Sequence, residues 1–237
     1  GNDLAYHVDK LNRGYPSLID VWGADHHGLL VRMRAAIWSL TGRDDALRIP
    51  IMQFVTLSSG RMGKRSGNFV TLNDLVTEAG RDETRFFYLL RGADQHLEFD
   101  VELARSRTTD NPVYYVQYAH TRVAGVFRQA AERGVHFDAA HAAPRVQRLT
   151  EPHEKALLAL LNRYPDLVQD AAREHAPQMV TYYLRDVADA FHGYYNVHQF
   201  LVDDAELRDA RLALVAATGQ VLKNGLGLLG VSAPDKM

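Results

Sequence analysis

Between Gly60 and Phe69 the chain reads GRMGKRSGNF, which places three glycines and three cations in one short stretch. Glycines leave backbone N–H groups open to close approach by a ligand, and clustered cations call for an anion. Phosphate is the obvious candidate; a basic surface turn is the alternative. The stretch is not a Walker A loop. That pattern requires glycine at position 58 and a hydroxyl at position 65, where the chain has Ser58 and Arg65. P-loop NTPase chemistry is therefore excluded.

A second cluster is Gly23-Ala24-Asp25-His26-His27-Gly28. One chemistry for it is a metal site built from the two histidines, Asp25 and His7. Adjacent side chains diverge at a helix start, and no H-E-x-x-H pattern occurs, so no metal ligands are assigned. The other chemistry is a nucleotide. Gly23 after a strand permits close approach, Asp25 can accept hydrogen bonds from ribose hydroxyls, and an imidazole at a helix start can bond ribose or phosphate. An Asp25 N-cap with an exposed histidine pair stands open beside that reading.

A third group lies in NPVYYVQYAHTR, residues 111–122. Tyr115, Tyr118 and Arg122 sit at i, i+3 and i+7, a strip rotated about 100° from the apolar stripe of Val116, Ala119 and Val123. Two aromatic faces and a guanidinium suit unstacked bases. Tyrosines bordering a core, with their hydroxyls in water, would give the same pattern.

The elements that must position these groups fall into two parts. SLIDVW, residues 17–22, is an apolar run expected to form a buried parallel strand. LLVRMRAAIWSL follows with helical spacing and stops at Thr41-Gly42, and RIPIMQFVTLS reads as a second strand. After the basic stretch, Thr71 to Asp74 is a capping-box start for another helix. Strand, helix, strand, loop, helix is the crossover unit of an open α/β sheet, where ligands bind beyond the carboxyl ends of the strands. Residues 82–107 read as helical with short breaks.

From Asn111 onward no strand is expected. Four helical stretches are read at Pro112–Glu132, Glu154–Arg173, Pro177–Tyr195 and Ala205–Asn224, with His136–Arg148 as a connecting loop and Gly134 and Gly225 as helix ends. The expected fold class is α/β plus all-α, with domains at 1–110 and 111–237.

The net charge is −2 and the pI about 6.6, so no bulk basic footprint announces a nucleic-acid binder. Any RNA contact must come from local clusters. The absence of cysteine excludes a disulfide framework and a thiolate zinc site. No run is long and apolar enough to span a membrane, which makes a cytoplasmic setting the expectation. Gly1 in place of an initiator Met fits a processed end or a shortened chain, and the second is the expectation.

DVWGADHHG, KRSGNFVTL, NPVYYVQYAHTR and the terminal LKNGLGLLGVSAPDKM together resemble the bacterial-type arginyl-tRNA synthetases, which are class I enzymes. The resemblance runs in order from Asp3 to Met237. It implies the second half of a class I Rossmann-like nucleotide-binding fold followed by an α-helical anticodon-binding bundle. It implies arginine adenylation by ATP with Mg²⁺, then transfer of arginine to its tRNA.

The basic stretch resembles the family's K-M-S-K-S signature. This implies that Lys64 and Arg61 act on the triphosphate, with Gly63 and Ser66 beside it. Arg61 stands where the signature has its first Lys, and Gly63 where it has Ser. A guanidinium keeps the charge but changes its reach. The resemblance also implies Gly23, Asp25 and His27 at the adenosine, and Asp3 as the carboxylate for the substrate guanidinium. Tyr115, Tyr118 and Arg122 become anticodon-loop contacts.

No His-x-Gly-His motif occurs, so this length of chain is expected not to aminoacylate alone; the parent is expected to be a monomer. Two other classes fit parts of the sequence: a stand-alone RNA-binding helical module on an α/β support, and another nucleotidyl transferase of the same fold.

Overall fold

The computed structural model describes residues 1–58 and 70–237. Lys64, Arg61, Gly63 and Ser66 lie outside the described residues. The chain divides into two compact units, and of the described residues 1–58 and Arg91–Phe99 form the first.

The first unit opens with α1 (Asn2–Asn12), then β1 (Leu18–Ile19) and β2 (Trp22–Gly23). A 3-10 turn (Ala24–Leu29) leads into α2 (Leu30–Thr41), which Gly42 ends in the left-handed conformation at φ 66°. Strands β3 (Leu47–Arg48), β4 (Ile51–Met52), β5 (Val55–Leu57) and β6 (Leu97–Phe99) follow. β1 pairs with β3 and β2 with β4, both parallel. The N–H groups of Leu18, Asp20 and Trp22 bond the carbonyls of Ala46, Arg48 and Pro50. The two short pairings are thus one ladder with a break, and α2 makes the crossover between its strands.

Among the described residues of this unit one small cluster buries Leu18, Ile37, Ala46 and Leu47, with Leu4, Leu11, Met33 and Ile49 packed against them; Leu97 and Phe99 are buried as well. The expected strand over 17–22 is parallel but not buried on both faces. Leu18 points into the core while Ile19 and Val21 are 50 % and 65 % exposed, because α1 and α2 cover one side only. A second correction concerns residues 82–107, expected to be helical with short breaks and no strand. Leu97, Glu98 and Phe99 form a strand in parallel with Val55, Thr56 and Leu57. Their burial alternates with period two, the mark of a strand.

The second unit holds residues 70–90 and 100–237 and is built of helices: α3 (Leu72–Ala79), α4 (Arg81–Tyr88), α5 (Val101–Arg105), α6 (Pro112–Glu132), α7 (Ala139–Ala142), α8 (Pro152–Asn162), α9 (Tyr164–Glu174), α10 (Gln178–Val197) and α11 (Ala205–Leu228). The Thr71 hydroxyl and Asp74 carboxylate close the capping box that starts α3. Helices α3 to α5 fall in this unit with the bundle. Arg85 donates to the carbonyl of Leu229, and the Thr181 hydroxyl donates to that of Leu89.

Three further expectations change here. The stretch 154–173 is two helices, broken at Arg163 where Pro165 enters the first turn of α9. Residues 139–148 carry α7 and a 3-10 turn instead of a plain loop. Gly225 does not end α11, which runs on to Leu228. It is a contact glycine: a Cβ there would stand 2.6 Å from Leu184 Cδ2.

Candidate nucleic-acid interface

Asn111 fixes where α6 begins. Its side-chain oxygen accepts from the N–H of Val113, and its amide nitrogen donates to the carbonyls of Ala104 and Ser106 at 2.8 Å each. Pro112 follows at the first helical position, where a missing N–H costs nothing. This start sets the helix phase. Val116, Ala119, Val123 and Val126 are buried in the bundle core, and Tyr115, Tyr118 and Arg122 fall on the flank toward α10.

Helix α10 buries Val180, Leu184, Val187, Phe191 and Tyr194 in the same core. His192 and Tyr195 therefore lie one residue beyond its stripe, with Asn196 next to Tyr195, as Tyr115, Tyr118 and Arg122 lie one residue before theirs. Tyr115 meets Asp189 and Arg122 meets Asn196, so positions advance together and the two helices run parallel. Two parallel helices with a common core face must turn opposite flanks to each other. The aromatic strip of α6 thus meets a matching strip of α10.

The seam has a defined order. The Tyr115 hydroxyl donates to Asp189 Oδ1 at 3.0 Å; burial first, then that carboxylate, raises its pKa, so it remains a donor. The His192 ring lies 4.6 Å from that of Tyr115 and 5.6 Å from that of Tyr118. His192 Nε2 is 3.2 Å from the Tyr115 carbonyl, which can only accept, so Nε2 carries the hydrogen. Nδ1 then accepts from Arg122 Nη1 at 3.0 Å. The imidazole is neutral in this arrangement. Burial pushes its pKa down, and the guanidinium pushes the same way.

Arg122 is the centre of the seam. Its guanidinium lies 4.6 Å from the ring centres of both Tyr118 and Tyr195. Its hydrogen-bond acceptors are the neutral His192 and Asn196, and its Nε is enclosed without a partner. No carboxylate pairs with it among the described residues. A cation is thus held between two aromatic faces with its charge uncompensated. Such a seam can take the π-face of an unpaired base or a phosphate beside it.

The structure brings Tyr115, Tyr118 and Arg122 together. The sequence reading missed His192, Tyr195 and Asn196. The signal that could have found His192 and Tyr195 is the same one-residue offset from a core stripe; Asn196, two residues past Tyr194, does not carry it.

In the first unit, Gly23 ends β2 with extended backbone, and no side chain caps the turn that follows, so Asp25 is not an N-cap. The Asp25 carboxylate instead folds back over Gly23, where a Cβ would lie 2.7 Å from Oδ1. His26 Nε2 is 3.7 Å from Asp25 Oδ2, and His27 is exposed. Asp3, in the first turn of α1, lines a cavity of about 410 Å³ with Trp22, His26, Arg32 and Met33. His26, not His27, is the histidine that shares a cavity with Asp3.

The second unit is thus a helical domain that carries an aromatic and cationic seam between α6 and α10. Residues 116–237 match the family described as the DALR anticodon binding domain, and the chain belongs to that family. Over its full length it is 50 % identical to the arginine–tRNA ligase of Thioalkalivibrio sulfidiphilus, covering 41 % of that relative. The chain therefore spans about two-fifths of the length of the curated relatives it matches. A solved arginyl-tRNA synthetase candidate from Campylobacter jejuni superposes with a TM-score of 0.85 at 34 % identity, over 99 % of this chain and 51 % of that one. The Thermus thermophilus arginyl-tRNA synthetase shares the fold at a TM-score of 0.75 and 23 % identity, over 94 % of this chain and 41 % of that one.

Proposed function

We propose that the chain is part of an arginine–tRNA ligase and that the α6–α10 seam reads the anticodon loop of an arginine-accepting tRNA. The observation that carries this is Arg122, uncompensated between the rings of Tyr118 and Tyr195. Held by aromatic faces and neutral acceptors, its charge is positioned and open to an anionic or π-rich ligand. Family membership supplies the class of ligand.

The first unit is, on this reading, the second half of a class I Rossmann-like nucleotide fold. Its parallel ladder with a helical crossover supports that assignment. Gly23, Asp25 and His27 would lie along ATP adenosine, and Asp3 would pair the guanidinium of the substrate arginine. Lys64 and Arg61, with Gly63 and Ser66, would stabilise the charge that grows when the arginine carboxylate attacks the α-phosphate and pyrophosphate leaves. Mg²⁺ would arrive on the triphosphate. Among the described residues no group of three or more His, Cys, Asp or Glu side chains is placed to hold it, so no ligand is assigned to this chain. This length of chain does not aminoacylate by itself. The setting is cytoplasmic and the whole enzyme a monomer; among the described residues no helix is long and apolar enough to cross a membrane.

The test is binding of an arginine tRNA transcript at fixed moderate salt, beside an anticodon-substituted transcript. Tyr118→Ala should weaken binding of the first roughly tenfold and barely alter the second. Equal, salt-sensitive binding of both transcripts, untouched by Tyr118→Ala, would mean the strip is only the edge of a core.

A further inference from the structure

The seam does not stop at Tyr195. Beyond it, where α6 and α10 both end, is a cavity of about 280 Å³. We propose that this cavity, ringed by Gln129, Arg133, Tyr195, His198 and Gln199, is a second base subsite. It would seat an unpaired nucleobase next to the one taken by Tyr118, Arg122 and Tyr195. This rests on the reading of the seam as an RNA site.

Its frame is fixed. Tyr195 is one wall, held by Phe191 and Phe200 at ring distances of 6.1 and 5.7 Å. Phe200 stacks on Phe191 beneath, and Val126 closes the apolar floor. The turn carrying His198 and Gln199 is pinned. The Gln199 carbonyl accepts from Arg211 Nη1 at 2.8 Å, and Arg211 Nε donates to the fully buried Glu154. His198 lies against the rings of His153 and Tyr194.

The rim, by contrast, is unspent. The carboxamides of Gln129 and Gln199 and the guanidinium of Arg133 have no hydrogen-bond or ion-pair partner among the described residues. Carboxamides offer a donor and an acceptor side by side, the pattern that pairs with a base edge. The carbonyl ends of two helices surround them, which favours base N–H donors over a phosphate inside the cavity. Arg133, at the exposed rim, suits the phosphate that follows.

The other end of the seam cannot serve this way. The cavity beside Tyr115 is lined by Asp110, Asp186 and Asp189 against the one cation Arg185, a net negative lining, whereas none of the described residues lining the one beyond Tyr195 is a carboxylate. A polyanion leaving the Arg122 stack is repelled at one end and accepted at the other. The strand is therefore directed from Tyr118 toward Arg133.

The experiment uses the whole chain and a hairpin RNA carrying an arginine anticodon loop, intact or with one loop base at a time made abasic. Gln199→Ala and Gln129→Ala, both at exposed positions, should melt like the parent and bind the intact hairpin roughly fivefold more weakly. That loss should vanish with one abasic RNA only, a different one from that which silences Tyr118→Ala. If the loss persists with every abasic RNA, the glutamines touch backbone and the base subsite is overturned. If both glutamine variants bind like the parent while Tyr118→Ala does not, the subsite falls and the seam stands. If Tyr118→Ala also binds like the parent, the seam reading falls with it.

Discussion

His192 links the chemistry of one side chain to the state of the whole seam. Its Nδ1 must be unprotonated to accept from Arg122, and burial, then the guanidinium, holds its pKa below the ordinary value of about 6.5. The unfolded chain therefore binds this proton more readily than the folded one. Above about pH 6.5 the contribution to stability is complete, and it is lost as pH falls from there through the folded-state value. The groups facing the ring are Tyr115, Tyr118 and Arg122 from α6 and Asp189 from α10. Urea midpoints measured between pH 7.5 and 5.5 should fall more steeply for the parent than for His192→Gln, whose carboxamide can accept from Arg122 at any of these pH values. Parallel slopes would mean that His192 does not titrate as described.

At the scale of elements, α6, α10 and α11 form the frame on which the seam depends. The tail after α11 straps α6 from the side away from the aromatic strip. Gln117 donates to the Ser232 carbonyl, Thr121 to that of Pro234 and Arg128 to that of Asp235. Close approach inside the frame relies on small residues of α11. Gly225 faces Leu184, which is fully buried and cannot swing aside. Alanine is better than glycine in a helix interior by about 1 kcal/mol. Overpacking a tight core costs about 1–3 kcal/mol. Gly225→Ala should therefore lower stability by on the order of 1 kcal/mol, read as a shift in urea midpoint at unchanged slope, where an exposed glycine would have gained. The same position shows why this part of the fold was only half legible. Glycine near the end of an apolar period reads as a stop, and nothing local tells a stop from a contact.

On the scale of the molecule, the two units differ in what holds them. The helical unit buries long stripes from three helices and a fully enclosed Glu154 that accepts from Tyr194 and Arg211. In the α/β unit the described residues show a small cluster around Ile37 and Leu47 and the buried Leu97 and Phe99, with Val31, Trp38 and Phe54 exposed at 73 %, 53 % and 64 %. Apolar burial is the main favourable term, so local stability should follow it. Amide exchange over residues 18–57 should be faster than over α6, α10 and α11 by at least an order of magnitude. Uniform protection would show that the small core is not the weak point. The parallel order of the first unit was legible from SLIDVW and RIPIMQFVTLS, because buried strands read as apolar runs. The exposure of Ile19 and Val21 was not, since a run of apolar residues does not say which faces are covered.

The sequence by itself determined what is encoded over three or four residues. Helix phase came from apolar spacing, helix starts from Thr71, Asp74, Asn111 and Pro112, and the family from motifs kept in order. Those signals are local because the hydrogen bonds that make them close within one turn. Only the tertiary structure decided which flank of α6 meets which flank of α10, that His192 accepts from Arg122, and that Leu97–Phe99 pairs with Val55–Leu57. Periodicity fixes the angle of a side chain about its own helix but not the neighbour waiting there. For Arg122 that neighbour lies 70 residues along the chain, at His192, and only the folding of the bundle brings it within reach.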